Sequence, residues 1–151
     1  SLSPFTSSLK LWLHRSGIPH RKRNHMSEPI IFISRNKVRA GKNDEFRKHY
    51  QDSIPVTIDS KPETYLQLGY ECENEDTIEF TVVRIFPSAD ALDLQIQGAD
   101  ERSKKTYEFI EPIGIEIFGT PNPATLEKMK KIAGSGIAVK ISPSYIGGFI
   151  R

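Results

Sequence analysis

The sequence predicts a small α+β fold with the element order β-α-β-β-α-β and an antiparallel sheet, and three stretches carry that expectation. Ile30 to Ser34 is a short apolar run that passes through a polar knuckle into a helix start at Asn43. Tyr65 to Phe86 reads as two alternating runs joined by the polar turn Glu73-Asn74-Glu75-Asp76, which is a hairpin pattern. Pro87-Ser88 stops the second run and opens a further helix, after which Ile113, Ile115 and Ile117 alternate as a fourth strand. That order is the ferredoxin-like arrangement.

Taken in turn, Ile31 and Ile33 point to one side of the first strand, while Phe32 and Ser34 point to the other. Gly41 gives the connection its backbone freedom, and Asn43 is the expected N-cap, followed by acidic Asp44 and Glu45. Phe46, Tyr50 and Ile54 recur at the spacing of one buried helix face, and Pro55 is expected to bend or end that helix. In the second strand Leu66, Leu68, Tyr70 and Cys72 share one face, opposite Gln67, Glu71 and Glu73. Ile78, Phe80 and Val82 alternate in the third strand. The pattern then slips at Val83, Arg84 and Ile85, as a bulge would cause. Ser88 caps a helix from Ala89, Gly98 breaks it, and the continuation from Asp100 is expected to run to Ile110 and end at Glu111-Pro112.

Beyond Gly119 the chain adds an extension. Pro121-Asn122-Pro123 opens a basic helix from Ala124 to Ile132, and Gly134-Ser135-Gly136 turns into a fifth strand with Ile137, Val139 and Ile141. The tail Tyr145 to Arg151 is too apolar for a solvated end and is expected to pack on the domain or on a partner subunit. The expected division is a leader over 1–25, a domain over 26–120 and this extension over 121–151.

The chain of 151 residues is one domain by length. Its formal charge of +2 hides a division, because residues 1–25 hold five basic residues and no acid. The remainder carries 16 of the 21 basic residues against all 19 acids, so the domain is mildly acidic and a nucleic-acid partner is not expected. The leader is Ser-rich, Arg-rich and acid-free, as transit peptides are. Non-native sequence ahead of a start at Met26 is the competing reading. The single cysteine, Cys72, rules out an internal disulfide framework and fits a cytoplasmic location, or an organellar one if the leader is native. No apolar run approaches the roughly 20 residues that span a bilayer, so no membrane partner is expected.

Few residues remain that could carry chemistry. With the leader set aside, the domain has one histidine, His49, and one cysteine, Cys72. A zinc site of His and Cys ligands is therefore not expected, and neither a metal nor a cofactor is assigned. His49 is expected on the helix surface, and Cys72 as a buried, inert thiol on the inward face of its strand. Lys128, Lys130 and Lys131 form a solvated helix face. Gly134-Ser135-Gly136 precedes a strand and is no dinucleotide fingerprint. What remains are polar groups beside apolar strand faces. Asn36 ends the first strand, Arg84 interrupts the third, and Gln95 and Gln97 lie on the second helix. An amide facing an apolar pocket can hold a carbonyl or phenol oxygen, and an arginine can favour an anionic form. Each also has a structural reading: a strand-end cap for Asn36, a surface or subunit-interface charge for Arg84, and solvated helix positions for the two glutamines.

The pattern resembles the antibiotic-biosynthesis-monooxygenase-like dimeric α/β barrels over roughly residues 30–120. The likeness rests on Val38-Arg39-Ala40-Gly41-Lys42 entering the first helix, on the hairpin, and on Ile85-Phe86-Pro87-Ser88-Ala89-Asp90-Ala91-Leu92 entering the second. Ile115-Glu116-Ile117-Phe118-Gly119 and the Gly147-Gly148-Phe149 tail resemble an uncharacterised branch. The resemblance implies a homodimer whose two sheets form a barrel, each subunit keeping its own pocket. It also implies a cofactor-independent monooxygenase acting on a phenolic or quinol-like apolar small molecule. A non-catalytic small-molecule-binding or dimerisation module is the alternative. Asn36 falls where the oxygenases often keep an asparagine. Phe86 replaces a frequent tryptophan, and Gln95 replaces a frequent histidine, which removes the axial ligand of haem-degrading relatives. The candidate catalytic residues are Asn36, Arg84 and Gln95.

Overall fold

A computed structural model describes residues 28–151, so the leader over 1–25 lies outside the described residues. Strand β1 (Ile30–Val38) leads into helix α1 (Asn43–Ser60) and then a hairpin of β2 (Leu66–Asn74) and β3 (Thr77–Phe86). Helices α2 (Ala89–Ile96) and α3 (Ala99–Thr106) precede β4 (Ile110–Phe118), and α4 (Pro123–Ala133) with β5 (Ala138–Ser142) completes the chain. The sheet order is β2-β3-β1-β4-β5, with β1 in the centre. Its first four strands pair antiparallel in the ferredoxin-like arrangement, and β5 adds on parallel to β4. The α+β class read from the sequence is therefore the observed one.

The helices cover one face of this sheet. Ile30, Phe32, Asn36 and Val38 of β1 turn toward them, as do Phe80, Val82, Arg84 and Phe86 of β3. Two clusters form beneath. Ile30, Phe86, Leu92 and Ile117 pack with Met129 of α4, and Phe46 packs with Phe80, Phe109 and Ile110 at the other end. Within the second cluster the rings of Phe46 and Phe80 meet edge to face, with centroids 4.7 Å apart. Asp93 of α2 fastens the extension by accepting hydrogen bonds from Asn122 Nδ2 (2.6 Å) and the Thr125 hydroxyl. Arg47 of α1 makes a two-point pair with Glu71 of β2, 2.9 Å at each contact, which holds α1 over the sheet edge.

Several local expectations are corrected. Asn43 is the first helical residue rather than a cap, and its Oδ1 is buried without a partner. Pro55 lies inside α1, which continues to Ser60; the Thr57 and Ser60 hydroxyls bond back to the Ser53 and Val56 carbonyls in the turns around and beyond it. Ser88 does cap α2, its hydroxyl accepting from the Ala91 N–H at 3.1 Å. Helix α3 ends at Thr106, and Ile110, Glu111 and Pro112 already belong to β4. The bulge expected at Val83 to Ile85 is absent, because β3 pairs without a break on both sides. The irregularity falls instead between Arg35 and Asn36, opposite the Pro112 to Gly114 stretch of β4.

Cys72 is also corrected: it is exposed. The alternation placed it correctly with Leu66, Leu68 and Tyr70, but that row faces away from the helices on an edge strand. This open face is apolar, with Leu68 and Tyr70 exposed and Ile31, Ile33, Val83 and Ile85 half-buried. In the tail, Ile146 is 99% and Phe149 80% exposed. No helix among the described residues is long and apolar enough to cross a membrane.

Candidate functional site

Between the sheet and its helices lies a cavity of about 430 Å³, within the range of small-molecule sites. Strand alternation builds its floor, because every second residue of β1 and β3 must face the helices. Ser34 and Asn36 come from β1, Val82 and Arg84 from β3, and Gln67 from β2. The roof is His49, Tyr50, Ser53 and Thr57 of α1, Gln95 of α2, and Arg102, Ser103 and Thr106 of α3. All three predicted candidates, Asn36, Arg84 and Gln95, border this one space.

Asn36 is buried. Its amide nitrogen donates to the Ser34 hydroxyl (3.1 Å) and to the Phe80 carbonyl (3.3 Å). Because those partners consume the N–H groups, the amide oxygen is the atom left to meet a ligand. Arg84 stands in the inward row of β3 with Phe80, Val82 and Phe86. Its Nε donates to Gln67 Oε1 at 2.9 Å, and Gln67 Nε2 donates to the Tyr50 hydroxyl at 3.4 Å. The guanidinium also stands over the Phe32 ring, 5.9 Å from its centroid. Burial pushes the Arg84 guanidinium down to about 10, so it is still charged at neutral pH. The same enclosure pushes the Tyr107 phenol up. Gln95 is half-buried and accepts from the Thr64 hydroxyl at 3.1 Å, which orients its amide, whereas Gln97 is exposed.

His49 is corrected from a surface position. It is half-buried, lines the cavity, and lies 3.1 Å from the Thr106 hydroxyl through Nε2. Tyr50 also belongs to the site. The signal for both lay in the polar continuation of the Phe46 and Tyr50 stripe: Ser53 and Thr57 occupy the same helix face, and a core-only face would not carry them. Among the described residues no three His, Cys, Asp or Glu side chains converge as a metal site would need.

Tyr50 also explains Gly69. A methyl group built at Gly69 would come within 2.7 Å of the Tyr50 hydroxyl and 2.8 Å of its ring carbons. Gly69→Ala is therefore expected to push the ring into the cavity and lower stability by about 1–3 kcal/mol. A urea titration would check this; an unchanged midpoint would mean that the ring is free to move aside.

No family model matches the chain, and no curated protein matches it in sequence. Among solved structures, MupZ from Pseudomonas fluorescens superposes on 83% of this chain and 96% of its own, with a TM-score of 0.52 at 10% identity. A "Putative antibiotic biosynthesis monooxygenase" from Bacteriodes thetaiotaomicron covers 60% of this chain and 85% of its own, with a TM-score of 0.48 at 15% identity. At 10% identity the likeness to MupZ is one of fold, and activity has to be argued from the site.

Proposed function

We propose that the cavity is the active site of a cofactor-independent monooxygenase acting on a phenolic or quinol-like apolar small molecule. The observation that supports this reading most is the placement of Asn36 and a charged Arg84 in one cavity beside the apolar side chains of Phe32, Phe46, Phe80, Leu92 and Ile115. In such a reaction the substrate supplies the electrons. A ring or methylene carbon beside an oxyanion loses its hydrogens and gains a carbonyl oxygen from O₂, while the second oxygen atom leaves as water. The chain's residues would exclude water, orient the ring and favour the anion. Asn36 would accept a hydrogen bond from a substrate hydroxyl, Arg84 would supply the attracting charge, and Gln95 would position the far edge of the ring.

Oxygen uptake by metal-free protein with a panel of quinols and anthrones tests the reading. Uptake above the protein-free control is expected, falling by about tenfold in a folded Asn36→Ala variant, as the loss of one hydrogen bond to the substrate allows. Uptake equal to the control across the panel would favour the alternative, a non-catalytic binding module. One feature supports that alternative: no carboxylate lines the cavity among the described residues, so the only ring base there is His49.

The open sheet face supports a homodimer in this reading. Ile31, Ile33, Val83, Ile85 and Leu68 make a contiguous apolar surface by register, since Ile31 pairs with Ile85 and Ile33 with Val83, which pairs with Leu68. Burying such a face against a second copy would remove it from water. The exposed tail would lie against that second copy.

A further inference from the structure

Arg84 carries a charge that its surroundings do not balance. None of the described residues lining the cavity is Asp or Glu, while Arg84, Arg102, Lys105 and His49 all border it. Arg84 spends Nε on an uncharged amide, and the groups that favour its charge are only the phenols of Tyr50 and Tyr107. Arg102 is different, because its Nη1 and Nη2 donate to the carbonyls of Gln97 and Gln95 at the end of α2. The Nη groups of Arg84 have no hydrogen-bond partner among the described residues. Arg84 is half-buried and lines the cavity, so an entering anion would pair with its guanidinium in place of water. A guanidinium edge matches a carboxylate in geometry, through two parallel N–H···O bonds. A phenol, with an ordinary pKa of about 10, is neutral at pH 7 and is no resting counter-ion.

We propose that the natural ligand of this cavity is an apolar organic acid whose carboxylate pairs with Arg84. The other walls fit the rest of such a molecule. Phe32 lies beneath the guanidinium, and Phe80, Leu92 and Met129 offer an apolar bed. Register sets the length. Arg84 is opposite Phe32 and Asn36 is opposite Phe80, four residues along the strands, which is about 13 Å between backbone positions. The carboxylate end therefore occupies the Arg84 pole, and a hydroxyl donates to the amide oxygen at the Asn36 pole. This inference deepens the reading above and rests on its cavity, not on its oxygen chemistry.

Calorimetric titration with naphthoate and decanoate, each against its primary amide, tests it at neutral pH and low salt. The amide keeps the shape and removes the charge. At least one acid is expected to bind about tenfold or more tighter than its amide, as a hydrogen bond to a charged group allows. In Arg84→Met the gap is expected to shrink to about twofold, and Arg84→Lys should retain part of it. Circular dichroism melts would confirm that both variants are folded. Equal binding of acid and amide, the same preference in folded Arg84→Met, or no binding by any of the four probes would overturn the inference. Acid preference without oxygen uptake would leave it standing and remove the monooxygenase reading. Uptake without acid preference would do the reverse.

Discussion

Phe86→Ala is expected to lower the unfolding free energy by about 3–5 kcal/mol. The ring is fully buried at the end of β3 among Ile30, Leu92 and Ile117, and Met129 of α4 belongs to the same cluster. Truncation would leave a cavity that four separate elements must close, and none can move without breaking sheet pairing or the Asp93 contacts. Against a typical total of about 5–15 kcal/mol, the loss is about a fifth or more of the margin. Urea denaturation followed by circular dichroism would measure it as a shifted midpoint at constant slope. A loss under about 1 kcal/mol would mean that the site is not packed as described. The function should fall with it, because Arg84 lies two residues before Phe86 on the same strand face.

If the open sheet face forms the proposed homodimer contact, Ile33→Asp is expected to raise the dimer dissociation constant by more than about a hundredfold, since an unpaired charge would enter an apolar contact. Ile33 lies on the central strand of the sheet with its side chain on the open face, beside Val83 of β3. Sedimentation at micromolar concentration would read the change against the wild-type chain. The monomer's own packing should survive, since Ile33 belongs to neither buried cluster. A wild-type chain that is already a well-folded monomer would sink the dimer proposal. A variant that stays dimeric would move the interface away from this sheet face.

Strand β3 shows why local reading went astray at one point. Thr77 to Phe86 is apolar on both sides after Val82, and a single sequence read for one buried face registers that as a slip. The unbroken pairing with β1 and β2 shows two faces, each with its own demand. The helix side takes Phe80, Val82 and Phe86 into the core and leaves Arg84 at the cavity. The other side takes Val83 and Ile85 into the open apolar surface. Cys72 is the same lesson on β2. Its row was identified correctly, but which row faces the helices is not encoded by alternation alone. A lone polar residue on a helix most often meets solvent, so the sequence places His49 at the surface. Only the approach of α3, which brings Thr106 within 3.1 Å, encloses it.

The sequence by itself determined the element order, the hairpin with its polar turn, the Ser88 cap and the α+β class. These depend on residues close in the chain, through side-chain period, capping chemistry and the conformational needs of glycine and proline. It also singled out Asn36 and Arg84 as polar groups in apolar strands. Tertiary structure alone decided which sheet face the helices cover, and so brought Asn36, Arg84 and Gln95 to one cavity while leaving Cys72 in water. The physical reason is that a strand offers two faces of similar free energy in isolation. Only the burial of Phe46, Phe86, Leu92 and Ile117 against helices from distant parts of the chain selects between them.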